Sequence, residues 1–367
     1  MWRRRRRDGG TRGEDRAGGG DAATAVVDRP VIERPTEVDD DFPGTDHELF
    51  AEIDRLSGAG PAGTDPEADR RLLRLRHLAG IRLLVANDGR AEHPAPASHD
   101  LPDGGSLPEI AAEDLTPELI RAGILRDGCL LVRGLIAREP AERFAREIDR
   151  SFAERERALE GEEAVPGYYE EFEGEGPYGI DAGARGWIRE GGGVLAVDSP
   201  RLAAEMLEMF QTAGLQRLVE GYLGEAPMIS LQKTTLRKAD PSVSGAWHQD
   251  GAFMGKVRAL NLWLSLSRCG DESPGLDIVP RRLDHIVAAG TDEAVLSYQV
   301  SQSKAEEAAG DKQIIRPIFE PGDALLFDEL FLHQTGSDPS MPKPRYAIES
   351  WFFGGSAFPG EYGPLAA

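Results

Sequence analysis

The chain predicts a mainly β protein with flanking helices (α+β), organised as a sandwich or jelly roll. Three observations carry that expectation. From residue 228 to residue 353 the sequence breaks into short strand-like runs (228–236, 259–266, 276–280, 313–319, 324–327, 331–335 and 345–353) separated by Gly, Pro, Asp and Ser. No helical pattern intervenes between those runs, which favours packed antiparallel sheets over a parallel sheet wrapped in crossover helices. Helical spacing of apolar residues is instead found in the part of the chain that precedes them.

Taken in order, residues 1–41 are rich in Gly, Arg, Asp and Ala and poor in large apolar side chains, so they are expected to form a disordered tail. The basic run Arg3 to Arg7 is followed by Gly, Asp and Thr where an export signal needs an apolar segment, which points to a solvated arm and a cytoplasmic protein. Residues 42–107 read as a helical N-terminal extension and linker. Leu49, Phe50 and Ile53, then Leu72, Leu73, Leu75 and Leu78, recur at helical spacing, and 88–107 is polar and proline-bearing.

The main domain, 108–367, opens at Thr116-Pro117, a helix start, followed by an apolar strand at 129–132 and a helix over 140–159. The segment 161–193 is glycine-rich and acidic but carries Tyr168, Tyr169, Phe172, Tyr178 and Trp187. A long irregular segment with that many aromatics favours a lid over a pocket. Ser199-Pro200 starts a helix over 201–210, with another over 213–223.

Bulk properties exclude several classes of function. A length of 367 residues with 40% hydrophobic content allows a large packed core, and no apolar run approaches the roughly 18 residues that would span a bilayer. The net charge of -22 argues against a nucleic-acid partner, which would require clustered Lys and Arg. It also disfavours anionic substrates at long range. The two cysteines, Cys129 and Cys269, lie in apolar strand-like settings and read as buried thiols, with neither a disulfide framework nor a zinc site.

The chemistry-bearing stretch is Trp247-His248-Gln249-Asp250-Gly251. On an extended backbone His248 and Asp250 leave from one face while Gln249 looks away, so an imidazole and a carboxylate can converge on a metal. Downstream, the turn Pro321-Gly322-Asp323 feeds a strand, and His333 in a later strand is the candidate third ligand. Arg345 opens the strand after that; an arginine facing a pocket is costly unless it meets an anion, and its fork suits a carboxylate.

With these residues, their order, and the strand Asn261-Leu262-Trp263-Leu264 between them, the chain resembles the phytanoyl-CoA dioxygenase family of iron(II)- and 2-oxoglutarate-dependent oxygenases, from about residue 115 to the C-terminus. The resemblance implies a double-stranded β-helix (jelly roll, cupin-like) fold. It implies that His248, Asp250 and His333 hold Fe(II), and that Arg345 and Thr335 bind the distal carboxylate of 2-oxoglutarate with Trp263 beside it. Gln232 falls where the family has a polar residue near the co-substrate, and Lys238 where it has a lysine. The implied reaction consumes O2 and 2-oxoglutarate, hydroxylates a small-molecule substrate and releases succinate and CO2; the presence of Asp250 favours hydroxylation over chlorination. A non-catalytic or 2-oxoglutarate-independent cupin-type metal protein stays open as an alternative. The chain departs from the family in Ser273-Pro274-Gly275 and Pro280-Arg281-Arg282-Leu283, where Arg281 and Arg282 read as a solvated turn and His285 as a rim residue. Neither the substrate nor the oligomeric state is legible in the sequence.

Overall fold

The computed structural model describes residues 42–102, 105–180, 182–242, 245–292, 294 and 297–367. The tail expected over 1–41 lies outside the described residues.

The first two helices are α1 (Asp46–Ser57) and α2 (Pro66–Ala86), each begun by a polar cap: Thr45 forms a capping box with Glu48, and the Asp65 carboxylate accepts from Glu67 and Ala68 N–H. Then follow β1 (Glu109–Ala111), α3 (Pro117–Asp127), β2 (Cys129–Arg133), α4 (Arg138–Leu159), α5 (Ala182–Glu190), β3 (Gly193–Leu195), α6 (Pro200–Thr212) and α7 (Leu215–Leu223). The second half contributes β4 (Pro227–Ala239), the short α8 (Gly251–Met254), β5 (Ala259–Ser265), β6 (Gly275–Ile278), α9 (Gln302–Ala309), β7 (Ala324–Phe327), β8 (His333–Gly336), β9 (Arg345–Gly354) and β10 (Pro364–Ala366).

The large sheet runs β1-β2-β7-β5-β9-β4-β10, with β3 also on β4. Its centre, β7-β5-β9-β4, is antiparallel throughout. The small sheet pairs β6 with β8. Isolated bridges extend it on both sides, through His248↔His333 and Trp247↔Val300 on one flank and Ile278↔Ile315 on the other. Chain segments therefore alternate between the two sheets: β4 in the large, 247–248 in the small, β5 large, β6 and 315 small, β7 large, β8 small, β9 large. That alternation is the double-stranded β-helix, a jelly roll.

The side chains sort by period two. On β9, Ala347, Trp351 and Phe353 join Trp263, Leu325 and Phe327 between the sheets, whereas Ile348 and Phe352 pack under the helices with Leu262, Leu264 and Leu326. The outer face of the large sheet is thus covered by α3, α4, α6 and α7, and its inner face encloses the site.

Three expectations change here. Helices do intervene in the strand-rich half, the short α8 and α9, the latter started by the Ser301 side chain accepting from Lys304 N–H. The strand expected over 313–319 is present only as single bridges at Ile315 and Phe319; Pro317, which has no N–H to give to a ladder, lies between them. The link 88–107 does not hold the first helices apart from the rest. Leu73 and Leu101 belong to the main core, the His93 ring packs on Tyr222, and His77 on α2 bonds Pro364 O at 2.6 Å. Among the described residues no helix is long and apolar enough to cross a membrane.

Candidate metal and co-substrate site

His248, Asp250 and His333 converge: one ligand-capable atom from each lies within 4.8 Å of the others. The pairing that creates the small sheet creates this cluster. His248 N–H donates to His333 O at 2.9 Å and His333 N–H to His248 O at 3.1 Å, which puts the two rings 4.5 Å apart. Each Nδ1 is held by a carbonyl two residues back, His248 by Ala246 O at 2.8 Å and His333 by Phe331 O at 3.1 Å. An N–H given to a carbonyl at Nδ1 fixes the tautomer that leaves Nε2 as the ligand atom. Burial, reinforced by His248, pulls the His333 imidazole down to about 4, so it is neutral at pH 7.

Asp250 does not sit on an extended backbone as the sequence pattern suggests. Its φ/ψ of -62/-28 begins α8, and its carbonyl accepts from Met254 N–H at 3.0 Å. The strand ends between the two ligands, and the turn, rather than strand alternation, carries the carboxylate to the histidines. Gln249 does look away, and its role was not legible. It is fully buried, donating from Nε2 to Leu330 O at 2.7 Å and His285 O at 3.0 Å while accepting from Val287 N–H at 2.7 Å. One side chain therefore fastens the ligand-bearing loop to the segment that leads into β8.

The inner wall of the large sheet also carries a buried cation with no direct ion pair among the described residues. Arg345 is 2% exposed, and its Cζ stands 5.2 Å from the Trp263 ring. Its Nη1 donates to Gly275 O at 3.1 Å, while its Nε and the Trp263 Nε1 are both buried without a hydrogen-bond partner. No ion pair reaches Arg345 among the described residues, and burial pulls its pKa below the usual arginine value. Burying a guanidinium is costly, and here it is answered only in part, by Gly275 O and by the field of Glu349 four residues along the same strand face. Thr335 follows His333 by two on β8, on the same strand face.

The remaining residues singled out from the sequence divide. Gln232 donates from Nε2 to Glu361 O at 2.9 Å and makes no hydrogen bond to the cluster. Its neighbour Lys233 comes nearer, with Nζ 4.1 Å over the Phe253 ring, which stacks on His248. Lys238 pairs with Asp149 at 2.6 Å, on the helix side of the sheet. Arg282 is not a solvated turn residue: it pairs with the buried Asp328, which also accepts from Leu330 N–H and so stiffens the turn before β8. His285 is exposed and bonded to Asp284, as a rim residue would be. Cys129 and Cys269 are buried free thiols.

Most of 161–193 is not a lid. Tyr168 is 3% exposed and bonds Glu147 at 2.6 Å, Tyr178 is 2% exposed, and Glu170 and Glu171 pair with Arg70 and Arg185. Only the α5 end approaches the site. There Trp187, 54% exposed, meets Tyr298 at 5.5 Å between centroids, and Tyr298 in turn meets Phe253 at 6.5 Å.

Comparison with known proteins gives likenesses in structure only. No family model matches the chain, and no curated protein matches it. Among solved structures it is similar to EctD from S. alaskensis in its apoform (17% identity, TM-score 0.46, covering 72% of this chain and 85% of that one). It is also similar to the same protein with 2-oxoglutarate and 5-hydroxyectoine (17%, 0.44, 73% and 85%). A third is the epimerase SnoN in complex with Fe3+, alpha ketoglutarate and nogalamycin RO (18%, 0.40, 65% and 83%). The jelly-roll assignment rests on the strand order described above.

Proposed function

We propose that the protein is an iron(II)- and 2-oxoglutarate-dependent dioxygenase that hydroxylates a small-molecule substrate, in the manner of the phytanoyl-CoA dioxygenase family. The observation that carries this reading is a His-Asp-His cluster in a jelly roll whose inner wall also buries Arg345, with no direct ion pair among the described residues and with Nε left unbonded. A metal site alone would fit many cupin proteins. A metal site with a buried cation awaiting a carboxylate fits a dicarboxylate co-substrate.

The residues present fit both groups. His248 and His333 would offer Nε2 and Asp250 a carboxylate oxygen, a facial set of the type that suits ferrous iron. Arg345, with the Thr335 hydroxyl and the orphaned Trp263 N–H close by, would take the distal carboxylate. When bound, iron and 2-oxoglutarate supply oxygen activation coupled to formation of succinate and CO2. The chain's own part is to hold the two imidazoles in one tautomer, to anchor the co-substrate, and to keep water out with the rings of Phe327, Phe331 and Trp351 around His333. Residues 108–367 form the catalytic body in this reading, with 42–107 bracing it.

Calorimetry supplies the test. 2-Oxoglutarate should bind the wild-type protein in the presence of ferrous iron, or of manganese under air, and not after chelation. Arg345→Gln should abolish that binding while the metal still binds. Metal binding with no 2-oxoglutarate binding in the wild-type protein would instead establish a 2-oxoglutarate-independent metal protein.

A further inference from the structure

The inner wall of the barrel carries an anion that the reading above does not use. Glu349 lies on the same face of β9 as Arg345, Ala347 and Trp351, opposite Trp263 on β5 and Thr235 on β4. Its neighbours on that wall include Arg237, Arg345 and Thr235 beside the rings of Trp263 and Trp351, and a carboxylate facing the barrel interior is costly unless it is answered. One oxygen is: Oε2 accepts from Arg237 Nε at 3.0 Å and from Thr235 Oγ1 at 3.2 Å. Oε1 accepts no hydrogen bond from the described residues. The side chain remains 28% exposed, which for an inward-facing residue means that it borders open space inside the barrel. Burial alone would push the acid up, but Arg237, then Arg345, outweigh it and hold the group at about 2, so it is ionised throughout the working pH range.

Thr235, which bonds Oε2, lies two residues along β4 from Lys233, whose Nζ reaches the Phe253 ring. Phe253 stacks on His248, and Tyr298 and Trp187 continue from it edge-to-face as a row of rings that ends at the exposed Trp187. The net charge of -22 favours the approach of cations over anions. Lys233 Nζ lies over two rings, 4.1 Å from the centroid of Phe253 and 5.2 Å from that of Tyr362.

We propose that Glu349 is the substrate-recognition carboxylate, accepting through Oε1 a hydrogen bond from the protonated amine of a small cationic substrate whose apolar flank lies along Phe253, Tyr298 and Trp187. The proposal rests on the dioxygenase reading, because it assigns Arg345 to the co-substrate and leaves Glu349 for the substrate. It restricts the substrate class to amines.

The probes are three molecules of one shape and different charge: benzylamine, benzyl alcohol and benzoate, titrated into protein loaded with manganese and 2-oxoglutarate. Wild-type protein should bind benzylamine at least tenfold more tightly than benzyl alcohol, and benzoate most weakly. Glu349→Gln should remove the preference for benzylamine and leave benzyl alcohol binding within twofold. Arg237→Gln separates recognition from bracing: with the competing cation gone, benzylamine affinity should be kept or increased, whereas a structural pair predicts that both variants weaken all three probes alike. Thermal melts of each variant report whether it is folded. Equal affinity for benzylamine and benzyl alcohol in the wild-type protein, or tightest binding of benzoate, overturns the proposal. If 2-oxoglutarate itself fails to bind the metal-loaded wild-type protein, it is the dioxygenase reading that fails.

Discussion

At the scale of single residues, the site is a set of groups whose bonding is deliberately incomplete. Arg345 Nε and Trp263 Nε1 have no partner, and the Asn261 Oδ1 on the same strand as Trp263 is likewise buried and unbonded. Native interiors leave few such atoms, and these three lie on the adjoining strands β5 and β9. Removing the guanidinium while retaining bulk, as in Arg345→Gln, should weaken 2-oxoglutarate binding by at least about 30-fold, the lower end of the about 2–5 kcal/mol associated with truncating one partner of a buried charge pair. Gln249 makes a second prediction, because it touches no ligand group and acts only through the loop. Gln249→Ala should lower metal affinity about 10- to 100-fold with the ligand set intact, as measured by competition against a chelating dye. An unchanged affinity would show that the backbone pairing of His248 with His333 fixes the loop without it.

At the scale of elements, α2 is bound to the body by a histidine satisfied on both sides. His77 Nδ1 donates to Pro364 O at 2.6 Å on β10, and Nε2 accepts from Glu175 N–H at 3.0 Å in the segment before α5. Both roles require the neutral ring, and burial, the dominant influence, lowers its pKa. His77→Ala should cost about 2–4 kcal/mol through an opened cavity and two unsatisfied backbone groups, seen as a lower melting temperature. The opposite outcome is expected at Asp69 on the same helix. Its Oδ1 accepts from Gly63 N–H, its Oδ2 is buried without a partner, and burial pushes it up to about 6. A carboxyl raised in the fold destabilises once the unfolded chain would ionise and it must follow, so the cost grows as pH rises through about 4 to 6. Asp69→Asn should therefore stabilise the protein by about 1–2 kcal/mol at pH 8 and make little difference at pH 3.5.

At the scale of the whole molecule, the histidines set the acid limit of the fold. His93, packed on Tyr222, is pulled by burial to about 4, and His77 is lowered in the same direction. Between the unfolded value near 6.5 and these lower folded values the unfolded chain binds more protons, so their contribution to stability is present above about pH 6.5 and is lost as pH falls toward 4. Denaturant midpoints should fall over that interval. In His93→Gln the fall should be shallower; an unaltered slope would remove His93 from the account.

The sequence by itself determined the local structure and the identity of the chemistry-bearing groups. The runs at 324–327 and 345–353 are strands because β-branched, aromatic and leucine residues alternate or fill them between turn residues, and Thr116-Pro117 opens a helix because a capping hydroxyl precedes a ring with its φ already set. His248, Asp250, His333 and Arg345 stand out in the sequence through their order and spacing, which resemble those of the phytanoyl-CoA dioxygenase family, and the fold brings the first three together. Period two on 345–353 also places Glu349 on the face of Arg345, a signal present in the sequence and passed over. What only the tertiary structure decided is which polar atoms are satisfied. It is the fold that packs Tyr168 and Glu170 of 161–193 against α4 and α2 while Trp187 meets Tyr298, and that pairs Arg282 with Asp328, Glu170 with Arg70 and Lys238 with Asp149. It is the fold, too, that leaves Arg345 Nε and one oxygen of Glu349 without a hydrogen bond among the described residues. Strand and helix propensity are local properties of backbone and side chain, whereas desolvation and pairing depend on groups brought together from about 100 residues apart, as Arg237 and Glu349 are by the pairing of β4 with β9.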